Sequence, residues 1–291
     1  MHACGHDGHT TMLLGAAKYL AETRNFSGSA VLIFQPAEED GGGADAMIAE
    51  GVFERFPIDR IFALHTSPFH AAGTLVSCPG PFFAIVDDFA VTLSGKGGHA
   101  AHPEATADPL IAAAALAQAL QTIVSRNRGG DAPLVLSVTK LHAGDAVNVI
   151  PASAHVAGTI RSYDTDIAAM VIRRVREIAD GTAAAHGVEA RVKIEPGTRV
   201  TFNDPDQLAF AGDIARGLIG SDRVDTACRP SLIGEDFGFM LERVKGAMFW
   251  LGQGEGPGLH HPKFDFNDEV APLGASFFAR LVEGAAPLDT A

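Results

Sequence analysis

The chain has 291 residues, 47% of them hydrophobic and 20% charged, enough for two modest domains that each bury a core. With 22 Lys and Arg against 35 Asp and Glu, the net charge is −13 and no basic run interrupts it. A field of that sign repels phosphate backbones and anionic lipid, so neither nucleic acid nor membrane is an expected partner. The three cysteines, Cys4, Cys78 and Cys228, are odd in number and stand in unrelated contexts, so they suggest no disulfide framework. With no signal-type opening and no apolar run long enough to span a bilayer, a cytoplasmic location is expected.

The opening "MHACGHDGHT" is unusually dense in metal-binding side chains. "TTMLLGAAKYLAE" then predicts a helix with Thr10 as cap and Leu13, Ala17 and Leu20 on one face. "SGSAVLIFQPAEE" reads as a buried strand ended by Gln-Pro, "GGADAMIAEG" as a short helix stopped by Gly51, and "DRIFALH" as a second buried strand. This is α/β grammar, which places its chemistry at the carboxyl ends of strands.

The middle of the chain changes character. "AIVDDFAVTLSG" predicts a strand, and "DPLIAAAALAQALQTIVSRN" a helix with Asp108 as cap and Pro109 at its first position. "APLVLSVTKLHAG" and "SAHVAGTIRSY" predict two more strands, and "TDIAAMVIRRVREIADGTAAAHG" a helix with Ile167, Val171, Val175 and Ile178 aligned. "EARVKIEPG" closes the region as a strand. The order βαββαβ is that of a ferredoxin-like split unit, inserted at residues 87–197. Residues 1–86 and 198–291 then form one discontinuous α/β/α domain whose two segments share a sheet.

Several side chains stand where strands or motifs end. Cys4 and His6 are close enough to grip an ion from one loop, and thiolate with imidazole suits zinc, cobalt or nickel. Glu38 and Glu39 follow a predicted strand, where alternation sends adjacent carboxylates opposite ways, one to an ion and one to water. His65 ends the next strand, and His260 and His261 precede the last helix. Singly, each has an ordinary alternative as a solvated loop residue, and Asp40 extends the glutamates into what can be a plain acidic loop. Their conjunction at the strand ends of one sheet points to a metal site. In the insertion, "SGKGGHAAHPE" presents His99 after a glycine turn, "GDAVNVIP" presents Asn148, and "GTIRSYD" presents Arg161, which can clamp a carboxylate or simply be solvated. No phosphate-binding fingerprint and no Gly-x-Ser-x-Gly elbow is present.

Taken together, "MHACGHDGHT", "VLIFQPAEE", "ALH", "GKGGHAA", "DP", "NVIP", "GTIR", "GEDF" and "LHHPKFDFND" resemble the M20 metallopeptidase family, in its amidohydrolase branch of hippurate hydrolases, N-acyl-amino-acid deacetylases and auxin-conjugate hydrolases. The resemblance covers essentially the whole chain. It implies two divalent ions (zinc, manganese, cobalt or nickel) held by Cys4, His6, Glu39, His65 and His260, with Glu38 as general base. It further implies that the insertion is a lid and dimerisation domain, giving a homodimer. His99 would steady the scissile carbonyl oxygen, often from the partner subunit, and Asn148 and Arg161 would face an N-acyl amino acid or short peptide. Relatives carry an earlier segment with an Asp-rich motif, so Met1 is read as an internal methionine of a longer ancestral chain. Glu104 stands where the branch usually has His, with His102 just before it, and His261 where it often has Ser. Two other readings stay open: a catalytically silent remnant that dimerises or binds, and a metal-dependent exopeptidase on the same scaffold.

Overall fold

The computed structural model describes residues 2–39 and 42–288. The expectations for Met1 and Asp40 lie outside the described residues. The chain divides into two compact units, one of residues 1–82, 201–231 and 236–291, the other of residues 83–200 and 232–235.

The first unit is built on a four-stranded sheet whose strands come from both outer segments. Edge strand Ile61–Ser67 pairs in parallel with the central strand Gly246–Gly252, in a register that sets His65 opposite Trp250. Every residue of Gly246–Gly252 is buried, as expected of an apolar strand covered on both faces. Two short strands complete the sheet: Leu75–Val76 runs antiparallel to Gly246–Gly252, and Val224–Asp225 runs parallel to Leu75–Val76. Helix His6–Thr23 buries Met12, Ala16 and Leu20, four residues apart on one face. It crosses helix Ala271–Ala285 so closely that a Cβ on Gly274 would stand 2.0 Å from the Met12 sulfur. Helix Pro205–Ile219 adds Leu208, Ala211 and Ala215 to a core that also holds Leu64, Leu75, Phe249 and Phe277.

Two details of this unit depart from the sequence reading. The first helix begins at His6, not after Thr10, because Gly5 takes a left-handed φ of 78° and its carbonyl already accepts the His9 amide at 3.0 Å. "VLIFQ" forms no strand: residues 29–37 have no ladder partner among the described residues, and Val31 and Phe34 are 38% and 44% exposed. The apolar run is there, but a strand needs a neighbour to take its backbone hydrogen bonds.

The second unit follows the order β-α-β-β-α-β. Its strands Ile85–Ser94, Leu134–Ala143, Ser153–Ser162 and Glu189–Thr198 pair antiparallel, with Ile85–Ser94 and Ser153–Ser162 in the centre. Helix Pro109–Thr122 starts as expected, with Asp108 Oδ1 accepting the Leu110 amide at 2.8 Å and Pro109 filling the first position. Helix Thr165–His186 is capped by Asp164 and closed by Gly187 at φ 68°. Its buried Val171 and Val175 pack with Leu116, Leu120, Phe89 and Val156, and Ile167 and Ile178 lie against that core.

Candidate metal centre

Four stretches of the first unit bring the candidate ligands together. Cys4 lies in the turn before the first helix and His6 is its first residue. Between them Gly5 is obligatory, since a Cβ there would meet Thr66 Cγ2 at 2.6 Å in a backbone conformation that side chains disfavour. Cys4 Sγ lies 3.4 Å from Nε2 of His65. His65 sits two residues before the end of its strand and is buried. Its Nδ1–H donates to the Thr66 carbonyl at 2.7 Å, which leaves the Nε2 lone pair facing the thiol. Burial, with His6 and His260 nearby, pulls its pKa down to about 4, so the ring is neutral and ready to ligate.

The two glutamates do not alternate as a strand would demand. Ala37 takes a left-handed φ of 54°, and both carboxylates reach His6 Nε2, Glu38 at 3.6 Å and Glu39 at 3.8 Å. The loop that carries them is fixed at both ends by Asp236, which is fully buried. One carboxylate oxygen accepts Gln35 Nε2 at 2.6 Å and the other accepts the Ala44 amide at 3.0 Å. Gly43 lets the chain close on itself there, because a Cβ would fall 1.6 Å from the Pro36 carbonyl oxygen. Burial, the Glu39 charge and the Asp236 charge raise the Glu38 carboxyl from 4.5 to about 7.

His260 arrives from the far end of the sequence with a left-handed φ of 64°. Its amide donates to the Ala3 carbonyl at 2.7 Å, and its Nε2 lies 3.1 Å from Glu39 Oε1. His261 turns to its own loop instead, where Nδ1 accepts the Lys263 amide.

Donor atoms of Cys4, His6 and His65 lie within 4.8 Å of one another, as do those of Cys4, Glu39 and His260, and those of His6, Glu38 and Glu39. Two ligands at about 2.0–2.3 Å from one ion stand at most about 4.6 Å apart, so contraction by a few tenths of an ångström would let each set hold a divalent cation. The donors also fit by chemistry, with imidazoles, a thiol and two carboxylates that no Lys or Arg among the described residues pairs with.

One residue here escaped the sequence reading. His9 is half-buried against His65, ring centroids 4.4 Å apart, and its Nε2 accepts the Thr66 amide at 2.9 Å. Burial, with His65 and His6 close by, holds its pKa well below the usual imidazole range. The spacing of His6 and His9, three apart, would have placed both on one helix face had the helix been started early enough.

In the second unit, His99 and Asn148 meet. Strand Gly98–His99 pairs with Val149–Ile150, and the Asn148 carbonyl accepts the Ala100 amide at 3.0 Å. His99 Nδ1 accepts the Ala101 amide at 3.0 Å, so its neutral ring carries the proton on Nε2. His102 lies 3.5 Å from Glu104. Arg161 stands at the other end of strand Ser153–Ser162, where Nη1 donates to the Leu232 carbonyl at 2.8 Å.

The family model for peptidase family M20/M25/M40 matches residues 1–284. The chain belongs to that family. This M20 chain is 39% identical to the hippurate hydrolase of Campylobacter jejuni, over 97% of its own length and 73% of that protein's. It is 36% identical to an N-acetylcysteine deacetylase of Bacillus subtilis, with the same two coverages. Among solved structures it superposes on a dinuclear metal-binding M20 peptidase of Bacillus subtilis with a TM-score of 0.81 and 32% identity, covering 97% of this chain and 72% of that one. By these relationships the M20 chain is a metal-dependent amidohydrolase with a mixed α/β fold. Among the described residues no helix is long and apolar enough to cross a membrane.

Proposed function

We propose that this M20 chain hydrolyses the amide bond of N-acyl amino acids, of the hippurate or N-acetyl-amino-acid kind, with two divalent ions held by Cys4, His6, Glu39, His65 and His260. The observation that carries the reading is the overlap of two donor sets on the Cys4 thiol, one with His6 and His65 and one with Glu39 and His260. Zinc, cobalt or nickel suit the thiolate, and manganese suits the carboxylates. Bound there, the ions would acidify a water molecule and polarise the scissile carbonyl.

The chain's own residues do the rest. Glu38 receives the proton from the attacking water and returns it to the leaving amine, the work of a general base and then a general acid. It lies beside His6, 3.6 Å from Nε2, and no Lys or Arg among the described residues pairs with it, which leaves the carboxylate available to take a proton. His99 offers its Nε2–H to the carbonyl oxygen, in cis or from a partner subunit, a contribution of about 3 kcal/mol in comparable oxyanion sites. The guanidinium N–H groups of Arg161 not used on Leu232 would receive the amino acid's carboxylate, and Asn148 a neighbouring oxygen. The second unit is then a ferredoxin-like lid and dimerisation domain, corresponding to residues 87–197, on a cytoplasmic homodimer whose other domain is residues 1–86 and 198–291.

The test is release of free amino acid from a panel of N-acyl amino acids in the presence of manganese or zinc, with Glu38→Gln as control. Turnover that falls at least ~100-fold in Glu38→Gln, with metal still bound, is expected for a general base. Turnover that survives removes Glu38 from the mechanism. The likeness to a peptidase favours one comparison within the panel: dipeptides outrunning N-acyl amino acids would make the chain an exopeptidase on the same site.

A further inference from the structure

We propose that Cys78 and Cys228 form an oxidisable thiol pair, at which a hydroperoxide closes an intramolecular disulfide bond.

The backbone brings the two together across 150 positions of sequence. The parallel pairing of Leu75–Val76 with Val224–Asp225 continues as the Ser77 amide donates to the Asp225 carbonyl at 2.8 Å, and the Cys228 amide to the Ser77 carbonyl at 3.2 Å. That last acceptor belongs to the peptide group leading directly into Cys78. Such a contact puts the α-carbons in the range a disulfide spans, about 4.4–6.8 Å.

The Cys78 side is held rigidly. Asn203 Nδ2 donates to the Cys78 carbonyl and to Ser77 Oγ, both at 2.9 Å, and Asn203 Oδ1 accepts the Met248 amide of the central strand at 2.8 Å. Cys78 is buried, whereas Cys228 is only half-buried, so a small oxidant reaches the pair from one side.

The two thiols are also chemically unequal. A hydrogen bond from Cys228 lowers the pKa of Cys78, and the same bond with burial raises that of Cys228. One sulfur is therefore the easier thiolate and the other its proton-bearing neighbour. Neither belongs to the donor set around His6.

With hydrogen peroxide the chemistry balances without another reactant. The Cys78 thiolate attacks one oxygen, the O–O bond breaks, and a sulfenic acid forms while the other oxygen leaves as water. The Cys228 thiol then attacks the sulfenic sulfur, the S–O bond breaks, the S–S bond forms, and the second oxygen leaves as water. The two sulfurs lose two electrons and the peroxide gains them. Each cysteine lies a few residues before a point where the chain passes from the first unit into the second, at 82–83 and at 231–232. The bond would tie those two approaches together and close the intervening chain into a loop.

The full-length chain is treated with hydrogen peroxide, its remaining thiols are alkylated, and its peptides are mapped without reductant. A link between the peptides of Cys78 and Cys228 that disappears on reduction is expected. In Cys228→Ser, Cys78 should stop at a sulfenic acid that dimedone labels. Should that variant not fold, the map of the natural chain decides alone. Peroxide-treated chain with both thiols still alkylated, with either driven to sulfinic acid unlinked, or with the link running from Cys4, overturns the proposal.

Discussion

The imidazole of His9 accepts the amide of Thr66 at 2.9 Å, and the carbonyl of that same threonine accepts the Nδ1–H of His65 at 2.7 Å. Thr66 is thus gripped on both sides, and the ring of His65 takes its orientation from a residue that itself points at no ligand atom. His9→Leu leaves the buried amide unsatisfied, which costs about 1–3 kcal/mol. It also loosens His65, which should weaken metal binding ~10–100-fold, as loss of outer partners does at other sites. His9→Gln restores an acceptor and should recover part of both. Thermal unfolding and metal titration read the two effects, and wild-type metal affinity in His9→Leu would remove His9 as a positioning residue.

The Glu38 carboxyl gives a pH signature in the metal-free chain. Its folded pKa, about 7, lies above the ordinary 4.5, so the folded state holds the proton more tightly than the unfolded one. Glu38 therefore costs nothing below pH 4.5, destabilises increasingly between 4.5 and about 7, and destabilises fully above that. Glu38→Gln should raise the unfolding midpoint of the metal-free chain at pH 8 and leave it unchanged at pH 4. His65 slopes the other way: its folded pKa of about 4 makes stability fall as pH drops from 6.5 towards 4. Equal midpoint shifts at both pH values would show that Glu38 keeps an ordinary pKa.

Two glycines should behave oppositely on substitution by alanine. A Cβ at Gly43 would lie 1.6 Å from the Pro36 carbonyl oxygen, so Gly43→Ala must displace the loop that carries Glu38 and Glu39. Metal affinity and turnover should both fall. Gly181 lies inside helix Thr165–His186 with nothing within 4 Å of the added carbon, so Gly181→Ala should stabilise by about 0.8–1 kcal/mol with turnover intact. Urea unfolding with metal titration separates the pair.

Cys4 should be shielded by metal. Its thiol is buried beside His65 and near His6, and an ion bound to all three takes up the sulfur lone pair. Alkylation of Cys4 should be slow in metal-loaded protein and faster after chelation, with the peptide map reporting this thiol alone. Equal rates would take Cys4 out of the ligand set.

Local signals in the sequence were read well where one residue decides the outcome. Asp108 with Pro109, and the strand read from "DRIFALH" and found at Ile61–Ser67, stand close to where the patterns put them, because a cap or an apolar strand is decided by near neighbours. The same holds for the gathering of Cys4, His6, Glu38, Glu39, His65 and His260, which their motifs marked individually. What escaped depends on partners distant in sequence. "VLIFQ" has the composition of a strand and no ladder partner among the described residues. Asp236 fixes the glutamate loop from about 200 positions away, and the Cys78–Cys228 encounter rests on two-residue strands too short to leave a period. His9 was hidden by a helix start set five residues late, since the left-handed turn at Gly5 has no signature beyond the glycine itself.

The contact of His260 with Glu39 joins residues 221 positions apart, and the His260 amide closes on Ala3. A nascent chain therefore exposes the thiol of Cys4 and the imidazoles of His6, His9 and His65 long before the last wall of the site is synthesised. During that interval the half-built cluster can capture whatever soft ion the surroundings offer, in whatever geometry. If the proposed ligands hold the ions, correct loading would follow completion of translation, and the metal found in purified protein would record the ions available when folding ended as well as the preference of the finished site.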